Sequence, residues 1–174
     1  MSLSISRLVY ALYERRLKDQ ILQGEAVRHV AIIQDGNRRY ALQKGLSKVV
    51  GHSLGAKTSE MVSDWCLELG IKHLTLYAFS TENFKRDEEE KRYLFDLIKN
   101  KFTELNRSKK IHDNKVRVRA IGRLEMLPRD LQEEIRRTEN STRSYDNLYL
   151  NVALAYGGQR ELIDAARALA QEVR

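Results

Sequence analysis

The sequence predicts an α/β protein, with a mostly parallel central sheet flanked by helices on both faces. Three observations predict it. Short apolar or alternating runs rich in β-branched residues recur along the chain, and longer stretches with apolar residues at helical spacing separate them. Strands joined by helices close as parallel βαβ units. Three of the four candidate strands also run out into polar or glycine-rich segments: Asp35-Gly36-Asn37, Ser80-Thr81-Glu82-Asn83 and Gly157-Gly158-Gln159. Parallel strands bring such segments to one edge of the sheet, the edge where ligands bind in open α/β sheets.

The elements follow in order. Ile5, Leu8, Val9, Leu12, Leu17 and Ile21 recur at helical spacing with charged residues between them, so residues 5–22 predict an amphipathic helix that Gly24 ends. His29-Val30-Ala31-Ile32-Ile33 predicts a short buried strand. A helix starts near Asn37 and continues to Leu69, where Gly70 stops it. Residues 71–79, "IKHLTLYAF", predict a second buried strand. "STENFKRD" reads as a polar loop. Residues 88–105 predict a helix with glutamates in its first turn and lysines late, the order that suits the macrodipole. Alternation over 115–121 predicts the third strand, and Pro128 suits the first turn of a helix over 128–140. "LYLNVALAY", 148–156, predicts the fourth strand, with a last helix from Gly157 to Arg174.

Composition limits what this fold can do. A chain of 174 residues suffices for one compact domain, and no composition shift argues for a second. The net charge of +7 favours anionic partners. The lone cysteine, Cys66, excludes an internal disulfide and sits in a helical apolar pattern as a small buried hydrophobe. No run approaches the roughly 18 to 20 apolar residues of a membrane span, and no cleavable signal pattern is present. These features predict a soluble, cytoplasmic protein, with the basic amphipathic N-terminal helix suited to peripheral contact with a membrane. Residues 107–123 hold seven Lys or Arg and one Asp, but without aromatic interleaving they predict a solvated edge and no nucleic-acid partner. His29, His73 and His112 lack the spacing of a zinc cluster.

The stretch "HVAIIQDGNRRYA" poses the chemical question, because a strand delivers a carboxylate, a glycine, an amide and two guanidinium groups to one point. Gly36 lets the backbone approach a bulky anion, and a helix start presents N–H groups to it. Arg38 and Arg39 match phosphate oxygens. Asp35 would repel a phosphate unless a divalent cation lies between them, so the pattern points to a Mg²⁺-assisted diphosphate site. Lys48, His52 and Arg86 add donors near the same edge. For an isolated "DGN" a capped turn with solvated arginines is the better explanation; convergence of three polar loops favours the site.

"HVAIIQDGNRRYA", "GHSLGAK", "LTLYAFSTENFKR" and "LNVALAYGGQ" resemble, in order and spacing, the motifs of the cis-prenyltransferases, the family of undecaprenyl diphosphate synthase and the dehydrodolichyl diphosphate synthases. The resemblance runs from about His29 onward, and the "DGNRRYA" form is closer to archaeal and eukaryotic members. It implies condensation of isopentenyl diphosphate with an allylic diphosphate, farnesyl or geranylgeranyl, to make a polyprenyl diphosphate for a glycosyl carrier lipid. It implies Mg²⁺ as cofactor and a homodimer. By the same resemblance Asp35 is the metal ligand and a catalytic residue. Gly36, Asn37, Arg38 and Arg39 hold the diphosphate with Tyr40, Lys48 and His52 nearby; Ser80, Thr81, Glu82, Asn83, Phe84 and Arg86 form a second wall. Asn83 stands where the family's proton removal is often assigned. An amide is a weak base, so orienting a diphosphate or water suits it better. The growing chain would lie between the helices near 53–69 and 88–105, lined by Met61, Val62, Trp65, Leu94, Phe95, Ile98 and Phe102, although taken one by one each of these is better read as core.

The sequence departs from the family at several points. Gln34 stands where methionine is usual, Lys48 where arginine is frequent, and Asp87 where proline is usual. The family's Arg-rich C-terminal motif, which binds isopentenyl diphosphate, has no counterpart in these residues. The expected domain, 1–174 with the helix of 1–24 leading it, is therefore incomplete at its C-terminal side and lacks two strands of the family sheet. Such a chain is expected to bind an allylic diphosphate, to bind isopentenyl diphosphate poorly and to elongate negligibly. The alternative is a non-catalytic member that partners a catalytic subunit. Such partners tend to lose the "DGN" aspartate, and Asp35 is present.

Overall fold

A computed structural model describes residues 2–25 and 27–172, with side chains from Leu8 onward. Four strands, β1 (His29–Ile33), β2 (His73–Ser80), β3 (Val116–Ile121) and β4 (Leu148–Tyr156), stand in the order β1-β2-β4-β3, and every neighbouring pair is parallel. The helices are α1 (Ser2–Gln23), α2 (Asn37–Gln43), α3 (Lys48–Glu68), α4 (Glu88–Arg107), α5 (Lys109–Asp113), α6 (Arg129–Ser141) and α7 (Gly158–Glu172). Short 3₁₀ turns lie at Thr81–Lys85 and Leu124–Met126. The α/β class and the parallel sheet are those the sequence predicts. Ile5 and residues 173–174, part of the predicted terminal helices, fall outside the described side chains or residues.

Local chemistry explains where the elements differ from expectation. The helix expected from Asn37 to Leu69 is two helices: Gly45, at φ 64°, turns the chain, and the Ser47 side chain accepts the Val50 N–H at 3.3 Å to start α3. β2 begins at His73 and not at Ile71, because the Ile71 N–H still bonds to Cys66 O at 2.9 Å. Pro128 precedes α6 as its cap residue, in extended conformation (ψ 143°), one position outside the helix. The basic stretch folds in part as α5, started by the Ser108 side chain and pinned by buried Ile111.

The core lies on one face of the sheet. Leu74 and Phe79 of β2, Leu148 and Leu154 of β4 and Val116 and Val118 of β3 are fully buried there. Cys66 of α3, Leu94 and Phe102 of α4, Ile111 and the Leu131–Ile135 pair of α6 close over them. Burial pushes the Cys66 thiol up, as an inert apolar setting requires. The covering is unequal. On the opposite face His73 stacks on Tyr149 with ring centroids 4.9 Å apart, Asn151 donates to the Thr75 hydroxyl, and this face stays half exposed among the described residues. β1 is accordingly not the buried strand expected. It pairs with β2 alone, turning Val30 and Ile32 to the core while Ile33 is 74% exposed.

α1 and α7 are helices, but their apolar stripes stay open. Leu8, Leu12 and Ile21 are exposed, and α1 meets α3 through polar contacts: Trp65 Nε1–H donates to Glu14, and Lys18 pairs with Glu68. Leu162 and Leu169 of α7 are exposed likewise. No described helix is long and apolar enough to cross a membrane.

Thr142, just past α6, seals the β3 edge. Its hydroxyl is fully buried, accepts the Val118 N–H at 3.1 Å and donates to Thr138 O at 2.9 Å. Thr142→Val leaves a buried N–H without a partner, which costs about 1–3 kcal/mol. Urea unfolding should show that loss in Thr142→Val and a much smaller one in Thr142→Ser, which keeps the hydroxyl.

Candidate active site

Parallel pairing carries the ends of β1, β2 and β4 to one edge. The Gln34 N–H extends the β1 pairing by donating to Tyr77 O at 3.1 Å, and the Tyr77 hydroxyl donates to Tyr156 O at 3.0 Å. The third loop touches the second, since a Cβ on Gly157 would stand 2.8 Å from the Thr81 hydroxyl. The three polar loops therefore converge as the sequence predicts.

The first loop turns at Gly36, whose φ of 86° favours glycine, and no side chain caps the start of α2 behind it. Asp35 points outward: its side chain is 75% exposed, accepts the Gly36 N–H at 2.5 Å and pairs with Arg39 at 2.9 Å. Asn37 reaches inward because α2 lies directly on α3. A Cβ on Gly51 would come 2.4 Å from Asn37 O, and one on Gly55 would come 2.4 Å from the Asn37 side-chain oxygen.

The second loop is held by a reciprocal cap. Asn83 Oδ1 accepts the Ser80 N–H at 3.0 Å while the Ser80 hydroxyl accepts the Asn83 N–H at 3.3 Å. That assignment commits the carbonyl oxygen of Asn83 and leaves its NH₂ toward the cavity that Asn83 lines. Asp87 caps α4 by accepting the Glu90 N–H at 2.8 Å, which gives the departure from proline a structural role.

At the meeting point of α2, α3 and α4 lies Glu90, its side chain 4% exposed. Arg86 Nη1 donates to Oε1 at 2.9 Å, and His52 Nε2 lies 3.2 Å and Arg38 Nε 3.7 Å from the same oxygen. Lys48 Nζ lies 3.4 Å from Oε2. Burial pushes the Glu90 carboxyl up, but the hydrogen bond to His52 and the charges of Arg38, Arg86 and Lys48 outweigh it and hold it below its usual range. Burial lowers His52, Glu90 pulls it back, and Arg86 and Arg38 push it down; the outcome is below 6.5, a neutral ring at pH 7.

Beneath this mouth a cavity of about 440 Å³ runs between α3, α4 and the sheet. Gln34, Asn37, His52, Asn83 and Arg86 line one polar end; Leu76, Leu94, Ile98, Phe102, Leu150 and Val152 form its apolar wall, and Glu60, Asp64, Lys101, Glu104 and Lys110 line its far, open side. Of the candidate lining residues, Leu94, Ile98 and Phe102 are in place. Met61 and Trp65 are half exposed on the far side of α3, and Val62 and Phe95 belong to the packed core. The side of α3 that faces the cavity carries Ala56, Ser59 and Ser63, and these small residues leave the gap. Gln34 donates to the Ser59 hydroxyl there. Ion pairs between Lys101 and Glu60 (2.8 Å) and between Lys110 and Asp64 bridge α3 to α4 and α5 along the open side.

The structure thus brings Asn37, His52, Asn83 and Arg86 together at the mouth, with Arg38 and Lys48 tied to it through Glu90 and Asp35, Gly36 and Arg39 on its rim. Ser80 and Thr81 shape the loop. Glu82 sits in the first turn of the 3₁₀ segment and does not line the cavity. Tyr40 is half exposed and away from the cavity. Phe84 does not line the cavity: it packs edge-on to Phe79 with centroids 5.1 Å apart and against Phe95. Glu90 went unmarked in the sequence; its i,i+4 spacing from Arg86 is the only local signal of it.

A family model described as "Putative undecaprenyl diphosphate synthase" matches residues 33–174. The chain belongs to the cis-prenyltransferase family. It is 48% identical over 166 residues to a tritrans,polycis-undecaprenyl-diphosphate synthase (geranylgeranyl-diphosphate specific) of Methanopyrus kandleri, covering 95% of this chain and 61% of the relative. It is 44% identical to the protein of the same name from Archaeoglobus fulgidus, over 96% of this chain and 66% of that one. The crystal structure of lavandulyl diphosphate synthase from Lavandula x intermedia in complex with dimethylallyl diphosphate superposes with a TM-score of 0.77 at 32% identity, covering 84% of this chain and 62% of that chain. The chain spans about 61–66% of the length of these two archaeal relatives.

Two outcomes follow from the packing and charge of the mouth. Gly51→Ala drives a methyl into the Asn37 backbone and should lower the melting temperature by about 2 °C or more, since overpacking against fixed backbone, toward the upper end of about 1–3 kcal/mol, exceeds the roughly 1 kcal/mol gain in helix propensity. Gly55→Ala meets only a side chain that can move, and the roughly 1 kcal/mol gain in helix propensity offsets it, so its melting temperature should stay near that of the unaltered chain. Because His52 binds its proton less readily folded than unfolded, stability must fall as the pH drops below 6.5 toward the folded value. Urea titrations at pH 7 and pH 5 should show a smaller loss in His52→Gln.

Proposed function

We propose that this chain is the allylic-diphosphate-binding portion of a Mg²⁺-dependent cis-prenyltransferase, one that condenses isopentenyl diphosphate with an allylic diphosphate to build a polyprenyl diphosphate. The observation that carries the reading is the junction of a cation-rich polar mouth with an apolar cavity directly beneath it. An allylic diphosphate has that polarity. Its two phosphates suit Arg38, Arg39, Lys48 and Arg86, and its hydrocarbon suits the space under Leu94, Ile98 and Phe102. The names of the archaeal relatives make geranylgeranyl diphosphate the first allylic substrate to try.

Magnesium suits the donors present. Among the described residues no group of three His, Cys, Asp or Glu side chains converges as a metal cage. Mg²⁺ does not need one, since it commonly takes one or two carboxylates with water and substrate phosphates. Asp35, exposed on the rim, would hold it. When bound, the metal supplies positive charge that stabilises the departing diphosphate. The chain's own groups do the rest. Arg38 and Arg39 bind phosphate oxygens, the Asn83 side chain orients an oxygen at the cavity entrance, and the apolar wall of Leu94, Ile98 and Phe102 receives the hydrocarbon. In a balanced cycle the allylic carbon–oxygen bond breaks and pyrophosphate leaves. A carbon–carbon bond to the isopentenyl double bond forms, and one proton is lost from the added unit.

Calorimetry with geranylgeranyl diphosphate, with Mg²⁺ and with EDTA, tests the metal's place. Mg²⁺ should tighten binding to the unaltered chain by about tenfold or more. Asp35→Ala should lose that increment while keeping the metal-free affinity, which the arginines supply. An alanine variant that retains the full Mg²⁺ effect would remove Asp35 from the metal site. Radiolabelled isopentenyl diphosphate added to the same mixture reports whether the chain alone elongates.

A further inference from the structure

A carboxylate at the centre of an anion-binding mouth works against the attraction the mouth needs. Glu90 nevertheless lies there, buried, within 3.7 Å of cationic or imidazole nitrogens from four residues. We propose, on the diphosphate-binding reading above, that Glu90 is the positioning residue of this mouth: its carboxylate gathers Arg38, Lys48, His52 and Arg86 about one point and holds the remaining donors of the three cationic side chains ready for a diphosphate.

The geometry supports orientation over attraction. The four side chains come from separate segments: Arg38 from α2, Lys48 and His52 from α3, and Arg86 from the loop before α4. Long cationic side chains carry large rotamer entropy, and like charges repel, so without an anchor they spread into solvent. Glu90 is a fixed anchor. It sits in the first turn of α4, its N–H is held by Asp87 at 2.8 Å, and its side chain is buried. It takes little from each partner. Arg86 uses Nη1 of its five N–H donors and Arg38 approaches through Nε, so both guanidinium groups keep donors free. Lys48 spends one direction on Oε2 and another toward Asp87 at 3.7 Å. His52 turns Nε2 to Oε1, which sets the plane of its ring. The donors are thereby ordered before any ligand arrives, and the ordering cost is not charged to binding.

Charge counting and positioning predict opposite signs, which makes the assignment testable. Glu90→Gln raises the local charge by one. If the carboxylate merely repelled phosphate or merely stabilised α4, the variant would bind inorganic pyrophosphate and geranylgeranyl diphosphate as tightly or more tightly. Positioning predicts weaker binding of both, by about tenfold, in calorimetry with Mg²⁺. On an Arg86→Ala background the added loss from Glu90→Gln should shrink, because one positioned partner is already gone. Circular dichroism checks that each variant folds. Should Glu90→Gln fail to fold, Glu90→Asp decides, since it keeps the charge but shortens the reach; about threefold weaker binding supports positioning and unchanged binding overturns it. If the natural chain binds neither probe, the diphosphate reading falls and Glu90's role with it. If the natural chain binds both and a folded Glu90→Gln binds equally or better, the positioning role alone is overturned.

Discussion

Parallel pairing of β1, β2 and β4 is the constraint from which the rest of the molecule follows. Parallel strands need a crossover, and here α3 and α4 each lie in one, on the same face of the sheet. That arrangement roofs the buried side chains Leu74, Phe79, Leu150 and Leu154 and sends three loops to the same edge. The edge is then tied laterally by Gln34 to Tyr77 and by Tyr77 to Tyr156. Antiparallel pairing of any one strand would carry its polar loop to the opposite end, away from the others.

Two carboxylates in the site show how environment divides labour. Asp35 is exposed on the rim, and its ionic partner among the described residues, Arg39, is as exposed as itself. Screened by solvent, that pair is worth little and gives way easily. Glu90 is buried among cations, where loss of either side would leave a charge unpaired in low dielectric. The exposed carboxylate is free to take a metal. The buried one can only hold what surrounds it.

The cavity exists because α3 is small where α4 is large. Ala56, Ser59 and Ser63 face Leu94, Ile98 and Phe102 across it, and bulky residues at those three positions of α3 would close the gap into ordinary core. Ion pairs at Lys101 and Lys110 join the helices along the open side. Polar contacts suit that seam, since its outer surface meets water while its inner surface is apolar.

Much of this was legible in the residues themselves. Strand runs such as "LTLYAF" and "LNVALAY" carry their own β-branched and aromatic pattern, and Gly36 announces the turn that follows β1. These are local signals, written within a few residues of where they act. The sequence also predicted one long helix where Gly45 makes two, a buried β1 where only Val30 and Ile32 face inward, and a substrate wall at Phe84 that packs on Phe79. It did not mark Glu90, nor which side of α3 meets the cavity. Those outcomes depend on how segments some 40 residues apart cross one another, as His52 and Glu90 do. Periodicity along the chain shows that a helix has an apolar side. Only packing against its neighbours decides which residues fill the core, which leave a gap, and which charge becomes the centre of the site.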